Sequence, residues 1–323
     1  MMKLLVTGGA GFIGSNFVRW ALANATDSVV VLDALTYAGN KANLQDFQSD
    51  PRMSFVQGDV CDRAAVQQAM SGCDVVVHFA AESHVDRSIV GPDAFVLTNC
   101  YGTNVVCDVA RQLEVKKLLH ISTDEVYGSV DEGAFAEGDR LVPSSPYAAS
   151  KAASDMIAMS YWHTFGLPVT ITRSTNNFGP YQHPEKLISL FATNLLDGQQ
   201  LPLYGDGLNV RDWCYVTDNC EAIGVVLEHG MSGEVYNIAG GNEVTNLELT
   251  KKLLAMFSQD ESAISYVTDR LGHDRRYCVN VSKIAKLGWK PTWELDDALA
   301  RTVDWYRCNR WWWEPLKQAV PQG

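Results

Sequence analysis

Several features that would point elsewhere are missing from this chain. No run approaches the ~18 consecutive apolar residues of a membrane-spanning helix, and the opening Met1-Met2-Lys3-Leu4-Leu5-Val6-Thr7 is too short for a secretory leader before glycine-rich sequence begins. Positive charge is scarce: 26 Lys and Arg stand against 38 Asp and Glu, a formal net charge of -12. That balance argues against the basic surface a nucleic-acid partner requires. None of the eight cysteines forms a C-x-x-C pair, so neither a metal site nor a disulfide framework is expected, and free buried thiols are. Internal repeats, charge blocks and low-complexity stretches are also absent. What remains is a soluble protein expected in a reducing cytoplasm. Its 323 residues, 46% hydrophobic, suffice for one large or two modest domains. An anionic ligand requires local cations, and Lys186, Arg211, Arg270, Arg275 and Arg276 are the candidates.

The first half alternates short β-branched runs with helical periodicity. Strands are predicted at 3–7, 29–32, 54–57, 75–79, 117–122 and 169–172, with helices at 12–24, 63–70, 93–113 and 146–165 between them. The continuous apolar run Val75-Val76-Val77 is that of a strand covered on both faces. Repeated β-α units imply an α/β fold, a Rossmann-like doubly wound parallel sheet. After Arg173 the texture changes to loops, helices at 187–196, 218–228, 247–257 and 295–306, and short strands near 210–216, 234–238 and 264–267. The expected division is a dinucleotide-binding domain at 1–178, to which about 212–240 returns, and a smaller C-terminal substrate-binding lobe at 179–211 and 241–323. Trp311-Trp312-Trp313 reads as a tail docked on the body, with a subunit contact as the alternative.

Three motifs carry chemistry. Gly8, Gly11 and Gly14 fall between a strand and a helix, and Gly9-x-Gly11-x-x-Gly14 satisfies the dinucleotide fingerprint. Such a turn lets backbone approach a pyrophosphate at a helix N-terminus. Asp33 closes the second strand, where a carboxylate accepts from a ribose and repels a 2′-phosphate, favouring NAD over NADP. Asp59 is either an adenine contact or a solvated turn residue after Gly58. Next, Tyr147 and Lys151 lie at i and i+4, on one helix face. Alone this pair is commonplace; with the glycine loop it reads as a base for hydride chemistry, in which the ammonium is expected to lower the phenol's pKa. Finally, Thr123-Asp124-Glu125 places two carboxylates beside a hydroxyl. On a regular strand they would point to opposite faces, so joint chemistry requires irregular backbone just past residue 122, where an open α/β sheet places its ligands. Two neighbouring carboxyls in a dry site do not both ionise easily. The set points to an enzyme that oxidises a sugar hydroxyl, eliminates water and reduces what it made.

Gly-x-x-Gly-x-x-Gly and Tyr-x-x-x-Lys resemble the extended short-chain dehydrogenase/reductase family. The runs at 78–88, 176–180, 184–188, 211–213 and 272–277 extend the resemblance, over nearly the whole chain, to its nucleotide-sugar 4,6-dehydratase branch. Phe79 and Ser189 depart from the pattern, where Leu and Pro are frequent. The resemblance implies tightly held NAD and dTDP-glucose as substrate, oxidised at C4, dehydrated across C5 and C6 and reduced at C6. It assigns Glu125 as base at C5, Asp124 as acid for the departing hydroxyl, and Thr123 beside Tyr147 at the C4 oxygen. For the cofactor it adds Phe12, Ile13, Thr36 and Val60, then Ala80, Ala81, Ser83, Thr98 and Asn177. For the substrate it implies Ser83, His84, Asn176, Lys186 and Leu187, then Pro202, Tyr204, Arg211 and Asn246, and the run His273, Asp274, Arg275, Arg276 and Tyr277. Guanidinium groups suit a pyrophosphate, although each arginine taken singly also fits a surface ion pair, and His84 and Asp86 also fit ordinary loop hydrogen bonds. A nucleotide-sugar 4-epimerase and a UDP-glucose dehydratase are the alternatives. The resemblance further implies a homodimer joined through the helices at 93–113 and 146–165, where Val96, Val105, Val106, Met156 and Ile157 serve either the contact or the core.

Overall fold

The computed structural model describes residues 2–24 and 28–318. Seven of its strands are β1 (Lys3–Thr7), β2 (Ser28–Asp33), β3 (Met53–Gln57), β4 (Val75–His78), β5 (Lys117–Thr123), β6 (Val169–Ser174) and β7 (Asn176–Phe178). The remaining five are β8 (Leu201–Tyr204), β9 (Val210–Tyr215), β10 (Val235–Ile238), β11 (Glu243–Thr245) and β12 (Ile264–Val267). The main sheet has seven strands in the order β10-β6-β5-β4-β1-β2-β3, every neighbouring pair parallel.

The side-chain period of two divides this sheet between two helical layers. Leu4, Val6, Val29, Val31, Val77 and Leu119 face helices Phe12–Ala23 and Val216–His229. Leu5, Val30, Val76 and Leu118 face Val66, Met70, Val105, Val109 and Ala158, from helices Arg63–Met70, Thr103–Gln112 and Pro146–Phe165. Burial on both faces explains why the inner strands read as unbroken apolar runs.

The helix expected over 93–113 is not uniform. It starts as Pro92–Phe95, widens to a π-helical stretch at Val96–Gly102 and continues as Thr103–Gln112. A separate helix, Val85–Val90, precedes it. The π stretch turns Asn99 inward, where its Nδ2 donates to the Glu82 carbonyl and Ser150 Oγ and its Oδ1 accepts from Glu82 N. Val105 and Val106 are buried in the core, whereas Val96 and Met156 are exposed.

The smaller lobe is built on the sheet β11-β9-β7 and the pair β12-β8. Phe178, Phe191, Leu203, Trp213 and Leu249 pack with Leu299 and Trp313 from helices Leu295–Cys308 and Arg310–Gln318. Trp312 and Trp313 are buried and Trp311 is half exposed. Trp312 Nε1 donates to Asn43 Oδ1 at 2.7 Å, so this tail clamps the last helix onto the turn at Lys41–Phe47 of the first half. No helix among the described residues is long and apolar enough to cross a membrane.

Candidate active site

Two adjoining cavities lie at the carboxyl ends of the main strands. The first, about 240 Å³, runs from the glycine loop to Tyr147 and Lys151. Glycine is required at two places there. Gly8 has φ +69°, and a Cβ on it would sit 2.6 Å from Ala80 N; a Cβ on Gly14 would fall 2.2 Å from the Gly8 carbonyl oxygen. Asp33 is buried, and its two oxygens accept from Ala10 N at 2.9 Å and Leu35 N at 2.8 Å. Burial raises its pKa against those hydrogen bonds. Phe12, Ile13, Thr36, Asp59, Val60, Ala80, Ala81, Ser83 and Thr98 complete the wall. Asp59 is exposed and also caps its own turn by accepting from Cys61 N. Ser122 Oγ, buried in the same wall, has no hydrogen-bond partner. The glycine cradle, the acid at the end of β2 and that unmet hydroxyl fit a dinucleotide with an unphosphorylated 2′-hydroxyl.

The second cavity, about 610 Å³, opens between the lobes. His84, Glu125, Asn176, Lys186, Leu187, Pro202, Tyr204, Arg211, Asn246, His273 and Tyr277 line it, as does Asn177, which was expected on the cofactor side. Ser83 lines the first cavity instead. The run 273–277 is only partly brought in. Arg275 pairs with Asp206 at 2.9 Å and Arg276 with Glu243 at 2.8 Å, and neither lines a cavity. Asp274 accepts from Tyr277 Oη at 2.7 Å and does not line the cavity. Arg270 lines it instead, its Nε buried without a partner and its Nη1 3.9 Å from Asp86 Oδ1. Arg211, 4% exposed, lies over the Tyr277 ring at 4.2 Å. Lys186 Nζ donates to the Ser83 carbonyl, and Lys186 belongs to both cavity walls.

The backbone irregularity required past β5 is present. Thr123 caps a 3-10 turn at Asp124–Tyr127, accepting from Glu125 N at 3.3 Å and donating to Asp124 Oδ1 at 3.2 Å. With three residues per turn, adjacent side chains splay by about 120° rather than 180°. Glu125 therefore enters the substrate cavity, half-buried, while Asp124, 3% exposed and with Oδ2 unpartnered, lines neither cavity, and nor does the buried Thr123. Burial and then the charge on Glu125 push the Asp124 carboxyl well above the usual carboxylate range, against Arg211 and the Thr123 hydrogen bond. Burial also raises Glu125, against Arg270, Lys186 and Arg211. A proton is thereby retained on the pair.

Tyr147 stands in the first turn of helix Pro146–Phe165, whose start is fixed by Ser145 Oγ accepting from Ala148 N. Burial and then Glu125 raise its phenol, against a hydrogen bond with Thr123. The depression expected from Lys151 is not present. Lys151 Nζ donates instead to the Ile121 carbonyl at 2.7 Å, and burial lowers its own pKa to about 8.

The family model described as GDP-mannose 4,6 dehydratase matches residues 5–302. A dTDP-glucose 4,6-dehydratase of Actinoplanes sp. is 52% identical, over 97% of this chain and 100% of its own. The low-salt glycan biosynthesis protein Agl12 of Haloferax volcanii is 53% identical over 94% of this chain and 98% of its own. The crystal structure of DesIV, a dTDP-glucose 4,6-dehydratase from Streptomyces venezuelae with NAD and TYD bound, superimposes with a TM-score of 0.96. It is 55% identical and covers 98% of this chain and 100% of its own.

Proposed function

The chain belongs to the GDP-mannose 4,6 dehydratase family, and from that premise we infer that it converts dTDP-glucose to dTDP-4-keto-6-deoxyglucose and water. The enzyme is a lyase of the short-chain dehydrogenase/reductase type, and its cofactor is NAD. The observation that carries this reading is the Asp124–Glu125 turn, which brings Glu125 into the cavity lined by Lys186, Arg211 and Arg270 and buries Asp124 next to it. An epimerase needs the tyrosine and lysine but has no task for a buried acid beside Thr123.

When bound, NAD supplies a hydride acceptor for C4, a donor for C6 and a positive charge on its oxidised ring. Tyr147 takes the C4 hydroxyl proton while Thr123 hydrogen-bonds the same oxygen. Burial alone disfavours the phenolate, so nearby positive charge decides when it forms. Once C4 is a ketone the C5 proton is acidic, and Glu125, the carboxylate facing the cavity, removes it. Asp124, holding its proton through burial and the neighbouring charge, delivers it to the departing C6 oxygen. Glu125 then returns a proton to C5. Arg211, Arg270 and Lys186 supply the charge for a pyrophosphate. Asp33 fixes the glycine loop through Ala10 N and would hold the adenosine ribose of the bound dinucleotide.

The proposed lobe division keeps the return of the chain to the first lobe, which β10 at the edge of the main sheet supports, but β7 and β9 pair within the smaller lobe's sheet, so the boundaries fall ahead of Asn176 and after Tyr215 rather than at 178 and 211. A homodimer is proposed through the exposed Val96, Leu97 and Tyr101 of the π-helical stretch and Met156 of the neighbouring helix. A cytoplasmic site is supported by eight free cysteines. The test is turnover of dTDP-, UDP-, CDP- and GDP-hexoses. A 4-keto-6-deoxy product from dTDP-glucose is expected; C4 epimerisation without loss of water would refute the reading.

A further inference from the structure

Behind the cleft lies a buried charge cluster that the reaction above does not use. Asp155 follows Lys151 by four residues on helix Pro146–Phe165, which places both on one face. Asp155 is 1% exposed and lines neither cavity. Arg173, from β6 and 5% exposed, approaches it from the far side, Nε to Oδ2 at 2.8 Å. Arg173 is itself held: its Nη1 donates to Tyr127 Oη at 2.8 Å, and Tyr127 donates to Asn237 Oδ1. The other carboxylate oxygen, Asp155 Oδ1, has no hydrogen-bond partner and lies 3.4 Å from His120 Nε2, on β5. His120 Nε2 is hydrogen-bonded to Ser154 Oγ, which donates to the Lys151 carbonyl.

We propose that Asp155 is a positioning residue for the redox couple, the buried counter-ion that keeps Lys151 charged, and that Arg173 limits its effect by competing for the same carboxylate. This rests on the reading that Lys151 works as a cation. Asp155 contacts the Arg173 guanidinium directly and acts on the Lys151 ammonium, which shares its helix face, through space, and a guanidinium does not release its proton at accessible pH. Any shortage therefore falls on the lysine. The remaining groups around Lys151 offer no compensation. His120, lowered to about 4, and His78, held well below its ordinary value, are both neutral at pH 7. Burial raises the Cys100 thiol on the π-helical stretch, so it carries no charge either. The Ile121 carbonyl supplies a dipole only. On its own helix Tyr147 is protonated, and Asp124 and Glu125 act on that phenol from the Thr123 side.

A merely structural ion pair would cost stability when broken and leave the lysine's titration in place. The test is therefore the Lys151 midpoint, read by NMR in the holoenzyme carrying ¹³C at the lysine ε position, with the signal assigned by its loss in Lys151→Met. The pH dependence of kcat/KM is recorded alongside. Asp155→Asn is expected to move the Lys151 midpoint and the alkaline limb of the profile acidward, by about 1–3 pH units. Arg173→Gln is expected to move both the opposite way, a sign that general damage does not produce. If Asp155→Asn does not fold, Arg173→Gln carries the test alone. Midpoints unchanged from wild type overturn the proposal. A midpoint that moves while the rate profile stays fixed supports the counter-ion and overturns the reading of Lys151 as the working cation.

Discussion

Replacing Asp124 with Asn should make the enzyme more stable as pH rises, at the expense of its reaction. Asp124 is 3% exposed, one of its oxygens has no partner, and Glu125 adjoins it in sequence. Its folded-state pKa is raised, by burial first and Glu125 second. The unfolded chain gives the proton up near pH ~3.9. Between that value and the folded pKa the native state binds more protons than the unfolded one, so stability falls as pH rises through the window. The loss is about 1.4 kcal/mol per pH unit while the difference lasts. Asparagine keeps the oxygen that accepts from Thr123 and cannot titrate. Its amide leaves a donor unmet, as the neutral acid's hydroxyl does, so that penalty is nearly the same in both proteins and independent of pH. Denaturant unfolding of wild type and Asp124→Asn at pH 5, 6, 7 and 8 should show a difference that widens with pH in favour of the variant. A difference constant across that range would refute the argument that Asp124 is held protonated.

Other outcomes follow from the same contacts. Gly14→Ala puts a methyl group 2.2 Å from the Gly8 carbonyl oxygen, so purified protein should lose the dinucleotide that denatured wild-type extracts release. Arg270→Met should raise the KM for dTDP-glucose by about 10–100-fold, the weight of a hydrogen bond to a charged group. Arg275→Met, at a residue paired on the surface with Asp206, should leave KM within about twofold. Leu97→Glu, on the exposed π-helical face, should give monomers by light scattering if that face is the dimer contact.

The main sheet was legible because both of its faces are covered. Val75-Val76-Val77 and the β1 run announce inner strands without any partner being known. The π-helical stretch was not legible, because its cause is Asn99 reaching Glu82 and Ser150, 17 residues before it and 51 after it. Irregular backbone past residue 122 was inferred from chemistry alone, since a paired task for two adjacent carboxylates excludes regular strand; that it is a 3-10 turn came only from the structure. The arginines were harder. The resemblance implied Arg275 and Arg276 as phosphate contacts, but Asp206 and Glu243 claim them from elsewhere in the chain. Arg270, whose Nε is left unpaired, carries no local sign of its orientation. The phenol of Tyr147 was misjudged for a related reason. Spacing places Lys151 on its face of the helix, but the Ile121 carbonyl takes the ammonium, and burial then decides the direction of the shift.

The central claim is that Tyr147 with Lys151 serves the redox step while Asp124 and Glu125 serve elimination. Single-turnover absorbance of reduced nicotinamide, with the bound sugar identified after quenching, tests it most directly. Tyr147→Phe should give no reduced cofactor. Asp124→Asn and Glu125→Gln should form it and retain a 4-keto-glucose nucleotide, with loss of water slowed by about 10²–10⁴-fold in Asp124→Asn. Folded, substrate-binding Asp124→Asn and Glu125→Gln enzymes that form no reduced cofactor at all would place the carboxylates in the redox step and contradict the division.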